Sequence, residues 1–219
     1  MEFSRSDMLR LVDGGDLSRE GMGIAKLTAQ ARMLHPSNMR AVAKLDTFAQ
    51  VDLEAIANAI NNRVELAILD VDELLAPHHG PVLAENVEKI REMLAEGVKI
   101  AIYSNSKATQ RLVDLYDQTG EGIYVHSTRF PKPRPEGFTQ ILNAYGLPVS
   151  NAIMVGDNPL TDGGSNLAGV EYVQVAPIAP LPEERLSVSR RTQMASREFA
   201  INLSAFYDDI YGRTPLTGS

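Results

Sequence analysis

From about residue 64 the chain alternates short apolar, β-branched runs with segments of helical periodicity, and this alternation strongly limits the folds it can adopt. Such a pattern is typical of βαβ units, in which successive strands lie parallel in one sheet with helices on its faces. We therefore predict an α/β fold with a mainly parallel, five-stranded sheet. The predicted strands are Val64–Leu69, Val98–Tyr103, Gly122–His126, Ala152–Val155 and Glu171–Ala176.

Three helices are predicted between these strands. The first ends at Gly97, which can adopt the left-handed C-terminal conformation, and the third runs from near Pro135 to Gly146. Apolar residues at spacings of three and four define the three helices: Leu83, Val87, Ile90 and Leu94; Ala108, Leu112, Leu115 and Tyr116; and Phe138, Ile141, Leu142 and Tyr145.

Helical patterns also flank this block. They predict an N-terminal helical extension over residues 1–62 and a C-terminal helical tail over 183–219, on either side of an α/β domain over 63–182. Within these flanks, residues 1–33 suggest one or two short helices, and Phe48–Ile60 and Arg191–Ile210 carry helical stripes. We expect the stripe of the tail to pack on the domain, with a partner-binding or membrane-surface helix as the alternative; its residues are Phe199, Leu203, Phe206 and Ile210.

Composition excludes several classes of function. The net charge of −7 and the pI near 5.1 oppose non-specific binding to nucleic acid. The absence of cysteine excludes disulfides, thiolate metal sites and a cysteine nucleophile. Apolar runs are far shorter than the ~20 residues that span a bilayer. We expect a soluble, cytoplasmic protein, with peripheral contact to a membrane and oligomer formation left open.

Two aspartates follow the first predicted strand. Asp70 and Asp72 are two residues apart, so in an extended chain both carboxylates point to the same side and repel each other unless a cation neutralises them. The carboxyl ends of parallel strands also form the ligand crevice of such sheets. We interpret the pair as part of a site for a hard cation; alternatively, an aspartate here simply caps a loop or helix.

Polar residues follow the second and third predicted strands too. Ser104 and Asn105 offer a hydroxyl and backbone N–H groups to a phosphate, while Ser106 can cap the next helix. Lys132 stands between two prolines that limit where its ammonium group can go, so we interpret it as a charge clamp. Two arginines of the same loop either recruit an acidic substrate or are solvated: Arg129 and Arg134.

The fourth predicted strand also ends in acidic residues. Gly156 allows a tight turn, and Asp157 can reach the same metal as Asp70. Asp162 either caps the following turn or supports Lys132 or Ser104.

The four strand ends together resemble the haloacid dehalogenase (HAD) superfamily. Asp70-Val-Asp72 is similar to its first motif, Ser104 to its second, Lys132 to its third and residues 156–162 to its fourth. Finer features over residues 34–180 resemble class III, subfamily IIIA, which includes phosphatidylglycerophosphate phosphatases: Leu34-His-Pro36, Tyr103-Ser-Asn-Ser106, Lys132-Pro133, Gly156-Asp-x-x-x-Thr-Asp162 and Val175-Ala-Pro-Ile178.

The resemblance implies a three-layer, Rossmann-like fold and a Mg²⁺-dependent phosphomonoester hydrolase. Asp70 would attack phosphorus, and Asp72 would protonate the leaving oxygen and then activate water. Mg²⁺ would lie between Asp70, the backbone carbonyl of Asp72 and Asp157. The remaining implied roles are phosphate binding by Ser104, Asn105 and Lys132, and support by Asp162.

Two residues depart from the family pattern. Leu74 stands where the family has a threonine whose hydroxyl helps to position the general acid, and Glu73 adds a negative charge near the metal. A catalytically weak scaffold that binds a partner therefore stays an alternative. A receiver domain also uses paired acids, a hydroxyl and a lysine, but it lacks a counterpart of Asp157.

The spacing of the motifs bears on the substrate. The chain between Asp72 and Asn105, and between Ser104 and Lys132, is too short to hold a cap domain. An uncapped site suits a bulky phosphate ester such as phosphatidylglycerophosphate, so the expected ligand is a phosphorylated small molecule or a lipid head group. A soluble sugar-phosphate or nucleotide phosphatase is the alternative. The pair His78-His79 lies close enough to touch a leaving group, although a plain loop role is the simpler interpretation.

Overall fold

The computed structural model describes residues 24–78, 80–105, 109–120, 122–126, 130–180 and 187–218. The helices predicted before residue 24 lie outside these ranges. So do several single residues named above: His79, Ser106, Ala108 and Arg129.

In the described part of the chain, seven strands form one sheet in which every neighbouring pair is parallel. The sheet order is β4-β3-β2-β5-β6-β1-β7. The strands are β1 Ala43–Leu45, β2 Leu66–Leu69, β3 Lys99–Ile102, β4 Ile123–Val125, β5 Ala152–Gly156, β6 Glu171–Val175 and β7 Leu216–Thr217.

The predicted number of strands was wrong, because β1 and β7 were missed. They contain three and two residues, too few for a period of two to be recognised. Both lie at one edge of the sheet, where β1 pairs with β6 and with β7. The five predicted strands all occur; four are shorter than predicted, and β5 extends one residue further, to Gly156.

Within the described ranges, six α-helices accompany the sheet: α1 Ile24–Met33, α2 Leu53–Ile60, α3 Ala84–Ala95, α4 Thr109–Thr119, α5 Pro135–Tyr145 and α6 Val188–Tyr211. The predicted stops at Gly97 and Gly146 are confirmed, since their φ angles are 83° and 63°. The helix predicted over Phe48–Ile60 is interrupted. Asp52 accepts a hydrogen bond from the Ala55 N–H at 2.9 Å and so begins α2, after a separate 3₁₀ turn at Phe48–Gln50.

Both faces of the sheet are covered, as the apolar runs predicted. Along the fully buried β2, Ala67 and Leu69 belong to the apolar layer that contains Ile90 of α3. Leu66 and Ile68 point the other way, into a layer that includes Phe138 of α5 and Tyr172 of β6. This alternation gives the three-layer α/β architecture. Because β2, β3 and β5 are parallel, their carboxyl ends lie at one edge of the sheet.

Helix α6 of the tail contacts the domain, but through a polar face and not through the expected apolar stripe. Phe199, Phe206 and Ile210 are more than half exposed, and the buried face of α6 is largely polar. Ser204 Oγ donates to the Met39 carbonyl at 3.0 Å, and Asp208 Oδ2 lies 2.5 Å from Lys44 Nζ. The buried residues of α6 are Arg190, Arg197, Ala200, Ser204 and Asp208.

Among the described helices, none is both long enough and apolar enough to cross a bilayer.

A close backbone approach next to the loop of Lys132 gives a test of the packing. A Cβ atom on Gly164 would lie 2.5 Å from backbone atoms of Pro133, whereas one on Gly163 would meet the flexible end of Met33 at 3.2 Å. We expect Gly164→Ala to destabilise the protein by about 1–3 kcal/mol and Gly163→Ala clearly less. Thermal unfolding checks this; equal melting temperatures of the two variants would contradict it.

Candidate active site

Three buried carboxylates converge at the carboxyl ends of the central strands. Asp70 follows β2 and donates its backbone N–H to the Val155 carbonyl of β5 at 3.2 Å, which brings it beside Asp157. One carboxylate oxygen from each of Asp70, Asp157 and Asp162 lies within 4.8 Å of the others. The exposed fractions are only 8%, 2% and 0%. Three acids so close together in a dry site need cations to offset their repulsion.

Lys132 supplies one of these cations. Its Nζ donates to Asp162 Oδ1 at 2.6 Å and lies 3.0 Å from Asp70 Oδ2, and its side chain is fully buried. Burial lowers the pKa of the ammonium group, but the attraction of Asp162 and Asp70 raises it more, so the pKa lies above its ordinary value. The charge clamp predicted from the flanking prolines thus reaches two of the acids.

Asn105 fixes the loop that carries Lys132. Its side-chain oxygen accepts from the backbone N–H of Lys132 at 2.9 Å, and its amide donates to the carbonyl of the same residue at 3.0 Å. Tyr103 Oη adds a hydrogen bond to the Phe130 carbonyl at 2.5 Å. Both partners come from the end of β3. Asn105, predicted as a phosphate ligand, therefore holds the lysine loop, while Ser104 lines the cleft beside Asp70.

Of the two arginines in the proline loop, the structure describes Arg134, which does not line the cleft. Arg134 pairs with Glu136 at 2.6 Å and lies over the ring of Phe130. It is not among the side chains that line the cleft.

Gly156 and Asp162 fit against one another. A Cβ atom on Gly156 would lie 2.2 Å from Asp162 Oδ2, so a side chain at this position would displace the carboxylate. That oxygen instead accepts the backbone N–H of Asn158 at 3.0 Å. Of the two roles left open for Asp162, support of Lys132 is the one seen.

The carboxylate cluster fits a hard divalent cation. Asp70 Oδ1 is buried and accepts no hydrogen bond from the described residues, which leaves it available as a ligand. Burial, with repulsion from Asp162 and Asp70, raises the pKa of Asp157 to about 8; burial likewise raises the pKa of Asp162 to about 6. Carboxylate oxygens are the ligands that Mg²⁺ prefers. The third carboxylate of the cluster, beside Asp70 and Asp157, belongs to Asp162. The Asp72 carboxylate is not part of this cluster.

The Asp72 carboxylate faces basic side chains. Its Oδ1 lies 2.7 Å from Arg111 Nη2 of α4 and 3.8 Å from His78 Nδ1. His78 therefore contacts the site, although a plain loop role was the simpler interpretation of the sequence. Leu74 is 1% exposed and packs in the apolar core.

Glu73 is balanced by two arginines that the sequence interpretation missed. It has a left-handed φ of 65° and is buried, and Arg190 and Arg197 of α6 both pair with it. Arg197 Nη1 also donates to Asp157 Oδ2 at 2.8 Å. In the sequence, the only signal for this pairing was the spacing of seven residues, which places the two arginines on one face of the helix.

The strand ends and α6 border an open cleft of about 510 Å³. One wall consists of the strand ends and the other of the first half of α6. Its lining residues from α6 are Arg190, Thr192, Gln193, Ser196 and Arg197.

The raised pKa of Asp157 predicts how stability depends on pH without a divalent cation. Between the unfolded value of 3.8 and the folded value of about 8, the folded chain holds a proton that the unfolded chain has lost. Stability therefore falls as pH rises through this range. In EDTA, we expect a lower melting temperature at about pH 8 than at about pH 6, and a smaller difference in Asp157→Asn. A rise in melting temperature with pH would contradict the assignment.

A double-mutant cycle tests the bridge from α6. Arg197→Gln leaves Glu73 and Asp157 buried with less compensation, so it should cost about 3 kcal/mol of unfolding free energy. Adding Glu73→Gln removes one uncompensated charge, and we expect a coupling energy of about 1 kcal/mol or more. Urea denaturation of the four proteins measures it. Strict additivity would show that the two side chains do not interact.

Three solved structures show distant similarity to the chain. An uncharacterized protein from Listeria monocytogenes serotype 4b is 22% identical, with a TM-score of 0.44, covering 65% of this chain and 99% of that one. D,D-heptose 1.7-bisphosphate phosphatase from B. bronchiseptica, complexed with magnesium and phosphate, is 15% identical, with a TM-score of 0.43, covering 69% and 100%. Deoxy-D-mannose-octulosonate 8-phosphate phosphatase from Haemophilus influenzae, in a cobalt-bound form, is 12% identical, with a TM-score of 0.39, covering 65% and 90%.

A search of curated proteins gave no match. The model of one family, haloacid dehalogenase-like hydrolase, matches residues 18–163, which is more than half of the chain and includes every residue of the carboxylate cluster. The chain therefore belongs to the haloacid dehalogenase-like hydrolases.

Proposed function

We propose that this hydrolase is a Mg²⁺-dependent phosphatase that works through an aspartyl-phosphate on Asp70. The observation that carries the proposal is the setting of Asp70, which has one carboxylate oxygen 3.0 Å from Lys132 Nζ and the other buried without a hydrogen bond. The first oxygen is held in place by a fixed cation. The carboxylate is thereby oriented for attack on an anionic phosphorus centre.

The remaining groups offset charge around the phosphoryl group. Lys132 and the hydroxyl of Ser104 stabilise phosphoryl oxygens as negative charge shifts between them. Asp70, the backbone carbonyl of Asp72, and Asp157 are the groups we assign to Mg²⁺, with Asp162 holding Lys132. When bound, Mg²⁺ would reduce the repulsion between the carboxylates and the phosphate.

Asp72 is the proposed acid and base. It donates a proton to the leaving oxygen and afterwards takes one from the water that hydrolyses the acyl phosphate. Arg111 and His78 lie close to its Oδ1, and the side chain lines the cleft. Because Leu74 provides no hydroxyl, Arg111 takes over the positioning of this carboxylate.

The proposed substrate is a phosphate monoester with a polar leaving group. The open cleft accepts either a lipid head group such as that of phosphatidylglycerophosphate, in keeping with the class III resemblance, or a soluble sugar phosphate. The polar side chains of α6 that line the cleft favour the soluble class. Equal turnover of a soluble glycerol phosphate and of the same group in a lipid would support a soluble substrate. A strong preference for the lipid would support a lipid substrate.

Substitution of the nucleophile tests the proposal. Asp70→Asn keeps the shape of the side chain but removes the attacking carboxylate, so Mg²⁺-dependent phosphate release should fall by at least about 10³-fold. A phosphate assay over a panel of sugar phosphates, nucleotides and phosphatidylglycerophosphate measures it. Asp209→Asn, an exposed aspartate on α6, is the matched control and should retain wild-type rates.

Two outcomes would decide against the mechanism. Wild-type activity in Asp70→Asn would show that another group attacks phosphorus. Tight Mg²⁺ binding by the wild-type protein without turnover of any compound in the panel would favour a catalytically silent scaffold.

A further inference from the structure

Helix α6 forms the wall of the cleft that faces the strand ends. Two of its polar residues, Gln193 and Ser196, line the cleft together with Asp72 and His78. They lie three residues apart and hence on the same side of the helix. Both are exposed. Their side chains thus face the same space as the carboxylate from which a leaving group would take its proton.

This segment is fixed to the site at both of its ends. Arg190 lies three residues before Gln193, and Arg197 lies one residue after Ser196. Both arginines are buried and pair with Glu73, and Arg197 also donates to Asp157. Separating buried charges of this kind is costly, so the turn between them keeps its position over the cleft. A fixed polar surface of this kind can select among ligands.

The charges around this segment also suit an anionic ligand. When all four acids are ionised, Glu73, Asp70, Asp157 and Asp162 carry one negative charge more than their described basic partners Lys132, Arg190 and Arg197. A divalent cation would reverse that sign and attract a phosphate. Gln193 and Ser196 are neutral, so they add no charge of their own. They offer only hydrogen bonds, and these recognise hydroxyl groups rather than a second anion.

We propose that residues 190–197 of α6 form the leaving-group subsite of the enzyme, with Gln193 and Ser196 as its specificity-determining residues for a hydroxyl-bearing alcohol such as a polyol or sugar. The inference rests on the proposed phosphatase function. The amide of Gln193 both donates and accepts, and the hydroxyl of Ser196 does the same, so the pair can satisfy adjacent hydroxyl groups. No apolar residue of α6 is among those that line the cleft, and the subsite therefore contributes no surface for an acyl chain.

The test compares two phosphate esters that differ in the leaving alcohol, glycerol 3-phosphate and methyl phosphate. Loss of the hydrogen bonds in Gln193→Ala/Ser196→Ala should lower kcat/KM for glycerol 3-phosphate about tenfold. It should change kcat/KM for methyl phosphate less than about twofold, because that alcohol has no further hydroxyl. Asn202→Ala, exposed on α6 and not among the cleft residues, is the control and should change neither value.

A binding measurement separates the subsite from the chemistry. Calorimetry with Mg²⁺ on the Asp70→Asn protein, with and without the double substitution, should show the same selective loss of affinity for glycerol 3-phosphate. If this loss occurs while the wild-type protein releases phosphate from neither ester, the subsite stands and the phosphatase proposal fails. The subsite is overturned if the double substitution lowers the affinity for both esters equally or for neither. It is also overturned if neither ester binds. Unchanged melting temperatures confirm that the variants fold.

Discussion

The whole site depends on one buried ammonium group. Lys132 is fully buried and contacts Asp162 and Asp70, and without it the three converging carboxylates would repel one another in a dry environment. Its position is fixed from the neighbouring strand, since Asn105 pairs with both backbone polar groups of the lysine. The parallel register that places β2 between β3 and β5 is what brings these residues together.

A second set of charges connects the site to the end of the chain. Glu73, in a left-handed conformation directly after Asp72, extends the cluster of acids, and two arginines of α6 offset it. As Arg197 also contacts Asp157, packing of α6 and the geometry of the carboxylate cluster are linked. This explains why the face of α6 that contacts the domain is polar and why its large apolar side chains are exposed.

The central βαβ block could be predicted from the sequence because each signal was local. Buried strands read as apolar runs, and Gly97 and Gly146 ended their helices where their φ angles allow. The strand-end residues Asp70, Lys132 and Asp157 could be predicted as a group because parallel strands deliver their carboxyl ends to one edge.

What could not be predicted depends on pairing between distant segments. The short strands β1 and β7 exist only through their partners, and the split of the helix over Phe48–Ile60 depends on one cap. The role of Glu73 was interpreted as an uncompensated charge because its partners lie more than 110 residues away, in α6. Similarly, Asn105 was assigned to phosphate because nothing local shows that it binds the lysine loop.

The central claim, that Asp70 is the residue that becomes phosphorylated, is tested most directly by trapping the intermediate. Asp72→Asn should slow hydrolysis of the acyl phosphate, because the base that activates water is removed, while a substrate with a good leaving group, such as acetyl phosphate, still phosphorylates the enzyme. Acid quenching with Mg²⁺ present, followed by peptide mass spectrometry, is predicted to place the phosphoryl group on Asp70. Phosphate release without a labelled Asp70, or a label on any other residue, would contradict the account.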